Sequence, residues 1–137
     1  MPTFTLDPRI EADTVPVLDL ALSAVRLMDD ANYPWLVLVP RRAGLVELTD
    51  LPAPLRAVLV EEIAAAEAAL AAVTGCDKLN FGALGNQVAQ LHVHVVARFT
   101  TDAGWPGPVW GAVPRSPWQE DRRAALVAGI AARLGAH

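Results

Sequence analysis

The amino-acid sequence predicts an α+β domain, in which an antiparallel β-sheet carries one long central helix and a C-terminal helix. The continuous apolar run Trp35–Pro40 predicts a buried strand, and alternating polar and apolar side chains over Gln90–Arg98 predict a half-buried one. Between these strands, residues Asp50–Gly75 place apolar side chains at helical spacing. The order of strands, one long helix, further strands and a terminal helix indicates the α+β class.

The first 40 residues predict one hairpin preceded by a less regular segment. Prolines and aspartates interrupt residues 1–22, so we expect a short strand near Phe4 and then irregular structure with at most one helical turn. Ala24–Met28 reads as a strand, and the turn-forming residues that follow it connect it to Trp35–Pro40. These two strands are expected to form an antiparallel hairpin.

The central helix is expected to begin after Asp50 as N-cap and to end at Gly75, a residue that tolerates a left-handed conformation. Its glutamates, Glu62 among them, are expected to form a solvated face. Lys78–Gly82 predicts another strand, and the loop after it contains two glycines that allow close backbone approach to a ligand. Ser-Pro-Trp-Gln at 116–119 begins the C-terminal helix.

Bulk composition limits the classes of function. The chain has 137 residues, 53% of them hydrophobic and 19% charged, which predicts one folded domain over residues 1–137. A net charge of −4 without a basic patch argues against a nucleic-acid polymer as partner. No apolar run approaches the ~20 residues of a membrane span. No secretory signal is evident at the N-terminus, and with one cysteine we expect a cytoplasmic protein.

The strand Gln90–Arg98 presents the most informative side chains. Because successive strand residues point to opposite faces, Gln90, His92 and His94 share one face, about 6.6–7 Å apart in succession. The intervening Leu91 and Val93 would face the core. The chain has only three histidines, and two of them fall on this face. Ordinary, partly exposed strand histidines are the alternative, but a His-x-His pair beside a glutamine favours a functional site.

The run Gln90-Leu91-His92-Val93-His94-Val95-Val96 resembles the signature of the histidine triad (HIT) family of nucleotide hydrolases and transferases. That signature reads His-φ-His-φ-His-φ-φ, with φ apolar, so glutamine stands here in place of the first histidine. Upstream, Asn80 and Gln87 stand at the spacing of two family amides. Trp35 stands where relatives often have a histidine, and Val88 where many have a hydroxyl side chain.

The resemblance implies a nucleotide hydrolase or nucleotidyl transferase that acts at the α-phosphate through a nucleotidyl-histidine intermediate on His92. The bond broken would be a phosphoric anhydride or a phosphoramidate, and no metal is required. His94 and Gln90 would complete the catalytic group, and Asn80 and Gln87 would bind phosphate. The resemblance further implies a small-molecule nucleotide as ligand and a homodimer as the assembly.

One further residue role follows from the resemblance. In the family, an acidic or amide side chain at the end of a strand accepts hydrogen bonds from ribose hydroxyls. Asp29 best matches that place here. A turn-forming aspartate without a ligand is the alternative for this residue.

Two other functions stay open at this point. One is a metal-binding protein that uses His92 and His94 for a divalent ion, with Asp29 or another carboxylate as a further ligand. The other is a nucleotide-binding module without catalysis, which predicts nucleotide affinity without turnover. Trp105 and Trp110 lie in a loop rich in proline and glycine, where they would cover a base or a partner subunit, or simply pack.

Overall fold

The computed structural model describes residues 3–135, so Met1, Pro2, Ala136 and His137 lie outside the described part of the chain. A five-stranded sheet with strand order β1-β2-β3-β5-β4 forms the centre, and every neighbouring pair is antiparallel. The strands are β1 (Thr14–Asp19), β2 (Ser23–Met28), β3 (Trp35–Pro40), β4 (Lys78–Gly82) and β5 (Val93–Arg98). The helices are α1 (Pro8–Asp13), α2 (Ala53–Thr74) and α3 (Glu120–Leu134), and a 3₁₀ turn spans Leu48–Asp50. The predicted α+β class is confirmed.

The sheet has an apolar cluster on each face. On one face, Val93 and Val95 of β5 pack in a large core that contains Leu59 and Leu70 of α2 and Ile130 of α3. On the other face, a smaller cluster joins sheet residues to the N-terminal segment and to the loop before α3; its buried members are Ile10, Tyr33, Trp35, Val37, Val39, Val96 and Val109. All six residues of β3 are buried, as expected for a central strand covered on both faces.

The histidine strand is shorter than the alternation suggests, because β5 begins at Val93 and not at Gln90. The alternation of faces nevertheless holds back to Leu91. Leu91 lies in the large core beside Val93, whereas His94 pairs with Val37 of β3 on the opposite side. Both histidines therefore face away from α2.

The N-terminal segment departs most from expectation. The described residues near Phe4 form no strand, and α1 follows, capped by Asp7, whose carboxylate accepts a hydrogen bond from the Arg9 backbone N–H at 2.8 Å. Residues 14–19, expected to be irregular, form the edge strand β1. Pro16 sits there at an irregularity in register, which an edge strand tolerates because one side needs no ladder donor.

The start and the outer face of α2 also differ from expectation. Asp50 is not the N-cap; Pro52 precedes the first turn, and Asp50 instead accepts hydrogen bonds from the backbone of Val46 and Glu47, which lower the pKa of its carboxyl. Glu62 is buried, not solvated. Its carboxylate accepts the backbone N–H groups of Leu22 and Ser23 at 2.8 and 3.0 Å, which would otherwise be buried without a partner.

The other predicted element boundaries are close. The strand at Lys78–Gly82 and the hairpin of β2 and β3 are confirmed. Gly75 ends α2 with φ of 65°, in the left-handed region that favours glycine. None of the helices in the described part of the chain is long and apolar enough to cross a membrane.

Candidate active site

A cleft of about 340 Å³ opens on the sheet face that points away from α2. The N-terminal segment forms one wall, strands β2, β3 and β5 form the floor, and the loop between β4 and β5 forms another wall. The lining residues are Ile10, Asp13, Thr14, Met28, Trp35, Val37, Leu84, Gly85, Asn86, Gln87, Val88, His92, His94, Trp110 and Gly111. The cleft therefore combines an apolar floor with a small number of polar groups, which is typical of small-ligand sites.

His92 is buried to 9% exposure, and its ring lines the cleft. Its Nδ1 lies 2.6 Å from the backbone carbonyl oxygen of Gln90, two residues earlier. A carbonyl can only accept, so Nδ1 carries a proton and donates, and in the neutral ring the lone pair is on Nε2. Main-chain geometry alone thus holds His92 in the tautomer that a nucleophile needs at Nε2.

His94 is held in the opposite tautomer. The indole N–H of Trp35 donates to His94 Nδ1 at 2.9 Å, and an indole N–H cannot accept, so the His94 proton is on Nε2. Burial, and then the neighbouring His92, lower the pKa of His94 to about 4. The two imidazole rings lie edge to face with centroids 4.9 Å apart. Near neutral pH, His94 is a neutral hydrogen-bond donor beside a nucleophilic nitrogen.

Two tryptophans fix the position of the His94 ring. Trp35 and Trp110 contact it edge to face, with ring centroids 5.5 and 5.3 Å away. Trp110 can lie against β4 because residue 82 is glycine; a Cβ there would come within 3.3 Å of the indole. Trp110 is thus part of the cleft wall, whereas Trp105 lies over the Arg98 guanidinium at 5.7 Å.

Gln90 is not where the strand pattern places it. Its carboxamide accepts the backbone N–H of Asp7 and donates to the backbone carbonyl of Thr5, both at 2.8 Å, and the residue does not line the cleft. The side chain therefore lies apart from the cleft, and its catalytic role stays a prediction. The chain turns before β5 begins, so the period of two does not extend to residue 90, and the amide anchors the N-terminal segment instead.

Asn80 and Asp29 also lie outside the cleft lining. The Asn80 oxygen accepts from Arg98 Nη1 at 2.9 Å, and its amide donates to the Leu79 carbonyl at 3.0 Å. The Asp29 carboxylate binds the guanidinium groups of Arg115 and Arg123 at 2.9 and 3.1 Å. Protein partners thus occupy both side chains, and the phosphate contact of Asn80 and the ribose contact of Asp29 stay predictions.

Comparison with known proteins agrees with this geometry. The family model described as HIT domain matches residues 9–101, which is more than half of the chain. The chain belongs to the histidine triad family. No curated protein shows a significant match.

Three crystal structures of histidine triad proteins superpose on nearly the whole chain. The protein from Bradyrhizobium japonicum is 44% identical with a TM-score of 0.96, over 97% of this chain and 99% of that one. The protein from Sinorhizobium meliloti is 46% identical with a TM-score of 0.93, over 96% and 97%. The protein from Marinobacter aquaeolei is 38% identical with a TM-score of 0.94, over 98% of both chains.

Within this histidine triad cleft, Gln87 is the predicted phosphate ligand that does line the site, and its neighbour Asn86 adds a second carboxamide. Two further residues of the cleft, Asp13 and Thr14, were not predicted from the sequence; they lie at the junction of α1 and β1. The alternation of apolar residues through Val15 and Val17 predicts a strand that starts beside Asp13. Pro16 hides this pattern, because proline usually interrupts a strand.

The described residues of the histidine triad site provide few ligands for a metal ion. Residues 3–135 contain no group of three His, Cys, Asp or Glu side chains arranged to hold one. The Nδ1 lone pair of His94 is also engaged by the Trp35 indole. A ligand set that uses His92 and His94 would thus lack a third ligand from residues 3–135, and a metal on His94 Nδ1 would have to displace Trp35.

Proposed function

We propose that this histidine triad protein is a nucleotide hydrolase or nucleotidyl transferase that acts at the α-phosphate of a nucleotide derivative, with His92 Nε2 as nucleophile. The observation that carries the proposal is the hydrogen bond from His92 Nδ1 to the Gln90 carbonyl, which in the neutral ring places the lone pair on Nε2, in the cleft. A neutral imidazole so oriented attacks phosphorus without first losing a proton.

The reaction has two steps. His92 Nε2 forms a bond to the α-phosphorus as the bond to the leaving group breaks, and the leaving group departs with the electron pair. The resulting nucleotidyl-histidine keeps its Nδ1 proton and its bond to the Gln90 carbonyl, which disperses the positive charge on the ring. Water then attacks the phosphorus, the P–N bond breaks, and nucleoside monophosphate and a proton are released.

His94 supports this chemistry as a donor. Its Nε2–H stabilises the charge that gathers on the phosphoryl oxygens, and its neutral state costs less to bury than a cation would. The amides of Gln87 and Asn86 in the β4–β5 loop add donors for phosphate. Fixed donors of this kind accelerate phosphoryl transfer because they need no reorganisation during the reaction.

The rest of the cleft suits a nucleoside. Ile10, Met28 and Val37 provide an apolar surface for a base, and the Asp13 carboxylate at the rim accepts hydrogen bonds from ribose hydroxyls. The ligand is a small nucleotide, and we propose neither a nucleic-acid polymer nor a membrane as partner. The chain works as a single HIT-like domain over residues 1–137, in the cytoplasm and as a homodimer, and the reaction requires no metal.

The test is mass spectrometry of protein quenched during turnover of adenylated and guanylated compounds. We expect an adduct of nucleoside-monophosphate mass on His92. The His92→Asn variant should bind nucleoside monophosphate but form no adduct, and turnover should fall by at least about 10⁴-fold, the scale of removing a nucleophile. His94→Asn is the matched variant on the same strand face, and it should slow the reaction yet retain the adduct. An adduct on His94, or one that persists in His92→Asn, would contradict the assignment.

A second function, a nucleotide-binding module without catalysis, is favoured by one observation. The first signature position is Gln90, whose amide is bound to Thr5 and Asp7 and takes no place in the cleft. This function predicts nucleotide affinity with neither adduct nor turnover in the same experiment.

A further inference from the structure

The hydrogen bond from Trp35 decides what His94 can do with a proton. To act as a general acid, His94 would have to be an imidazolium with protons on both ring nitrogens. A proton on Nδ1 would face the Trp35 N–H, which is a donor at 2.9 Å and has no lone pair to offer. The neutral form has only its Nε2–H, which a neutral imidazole does not release near neutral pH. His94 can therefore donate a hydrogen bond but cannot supply a proton.

No other side chain that lines the cleft within residues 3–135 can act as the general acid. Among the described residues that line it, only Asp13, His92 and His94 ionise. His92 Nε2 is consumed by the bond to phosphorus, and its Nδ1–H is held by the Gln90 carbonyl. Asp13 is engaged in an ion pair with Arg115, with Asp13 Oδ1 and Arg115 Nη1 3.5 Å apart. None of the described groups in the cleft therefore supplies the leaving group with a proton.

We infer that the reaction is restricted to nucleoside 5′-phosphoric anhydrides and acyl phosphates, whose leaving groups are stable phosphate or carboxylate anions. Phosphoramidates and alkyl esters are excluded, because an amine or an alkoxide leaves only when it is protonated. This inference depends on the proposed function and narrows its substrate class. In the balanced step, the P–O bond breaks, the electron pair stays on the leaving oxygen, and no proton transfer accompanies it.

Trp35 is the positioning residue of this arrangement. It touches no reacting atom, and it acts by occupying the only His94 nitrogen that protonation could use. Trp110 contacts the same imidazole at a similar distance but makes no hydrogen bond to it; its own Nε1 has no partner among the described residues. The two tryptophans thus offer a matched pair of variants, Trp35→Phe and Trp110→Phe.

The first experiment uses the wild-type protein and three adenosine 5′-phosphate derivatives: a mixed anhydride with a carboxylic acid, a phosphoramidate with a primary amine, and a methyl ester. We expect kcat/KM for the anhydride to exceed that for the other two by at least about 10²–10⁴-fold, the usual contribution of general acid catalysis. Comparable values for the anhydride and the phosphoramidate would overturn the inference while leaving the proposed function intact. Absence of turnover and of an adduct with all three would overturn the proposed function itself.

The second experiment tests Trp35 by ¹⁵N NMR of the histidine side chains. In wild type and in Trp110→Phe, His94 should show one tautomer, protonated on Nε2. In Trp35→Phe, the Nδ1 nitrogen should lose its hydrogen-bond shift, and the phosphoramidate-to-anhydride ratio of kcat/KM should rise by at least about tenfold as protonation becomes accessible. A proton on His94 Nδ1 in the wild type, or equal effects of both substitutions, would overturn the role of Trp35.

Discussion

Strand β5 carries two polar sites on one face, and they are built in opposite ways. At its C-terminal end, the Arg98 side chain is 1% exposed and fully partnered: Asp102 binds it through two hydrogen bonds of 2.8 and 3.0 Å, and Asn80 through one of 2.9 Å. The Tyr33 ring lies 5.4 Å from its guanidinium. At the other end, His94 and the preceding His92, just before the strand, are also buried, but each has only one nitrogen bonded within the described residues.

The contrast shows how a polar cluster that stabilises the fold differs from one that is suited to catalysis. Around Arg98, a buried charge is neutralised, and the hydrogen bond from Arg98 lowers the pKa of the Asp102 carboxyl. Around His94, burial keeps the ring neutral, with a pKa of about 4, and leaves a nitrogen for a ligand. A fully bonded buried charge stabilises the fold, whereas buried neutral groups with unused atoms are suited to catalysis.

The largest expected effect comes from breaking the Arg98 cluster. Arg98→Met should lower the free energy of unfolding by about 3–5 kcal/mol, because it leaves the Asp102 carboxylate buried without its partner. Arg9→Met is the control, since the Arg9–Asp7 pair lies on the surface and is worth about 0–1 kcal/mol. Urea denaturation measures both. Similar losses in the two variants would show that the Arg98 cluster is no more important than a surface pair.

Burial of His94 should make the free energy of unfolding depend on pH. The pKa of His94 is about 4 in the folded protein and near 6.5 in an unfolded chain, so the unfolded state binds a proton first as pH falls. The contribution of neutral His94 to the free energy of unfolding, roughly 3 kcal/mol, is present above pH 6.5 and is lost progressively as the pH falls to about 4. His94→Gln should remove this part of the pH dependence in urea titrations between pH 7 and 4. Parallel curves for the two proteins would contradict the buried neutral state.

A smaller effect distinguishes the two candidate ribose ligands. Asp13→Asn should weaken binding of adenosine monophosphate by roughly 1.5–3 kcal/mol, the scale of a hydrogen bond to a charged group. Asp29→Asn removes the same charge outside the cleft, where Arg115 and Arg123 hold the carboxylate, and should change affinity by less than about 0.5 kcal/mol. Isothermal titration calorimetry measures both, and the reverse order would favour Asp29 as the ribose ligand.

The smallest expected effect concerns Gln90. Gln90→Ala removes two hydrogen bonds to the N-terminal segment and should cost about 1–2 kcal/mol of stability. Hydrogen exchange should rise in α1, which carries Ile10 and Asp13 of the cleft wall. Gln119→Ala is the control, because Gln119 is exposed and makes no cap hydrogen bond. If exchange in α1 is the same in both variants, Gln90 does not anchor the segment.

The sequence predicted the elements whose signal is local. The apolar run of β3, the stripe of α2 and the period of two through His92 and His94 all depend on neighbours along the chain. Strand β1 was not predicted from the sequence. Pro16 suggested a break in the chain there, although an edge strand accommodates a proline. The predicted exposure of Glu62 was wrong because the backbone groups that it binds lie about 40 residues away in the sequence.

The candidate site was predictable only where a side chain's direction follows from its strand. His92 and His94 belong to this class. Gln90, Asn80 and Asp29 do not, because partners distant in sequence decide where their polar ends point: residues 5 and 7 for Gln90, Arg98 for Asn80, Arg115 and Arg123 for Asp29. A spacing motif identifies residue types but not the competition for their hydrogen bonds.

The most direct measurement is a crystal structure of the protein with adenosine monophosphate. The phosphate should lie at the histidine end of β5, with phosphorus within about 3–3.5 Å of His92 Nε2. His94 Nε2 and an amide of the β4–β5 loop should donate to its oxygens, with Trp35 still bonded to His94 Nδ1. A phosphate bound instead by Arg115 and Arg123, or one that faces His92 Nδ1, would contradict the assignment of this cleft as the nucleotide site.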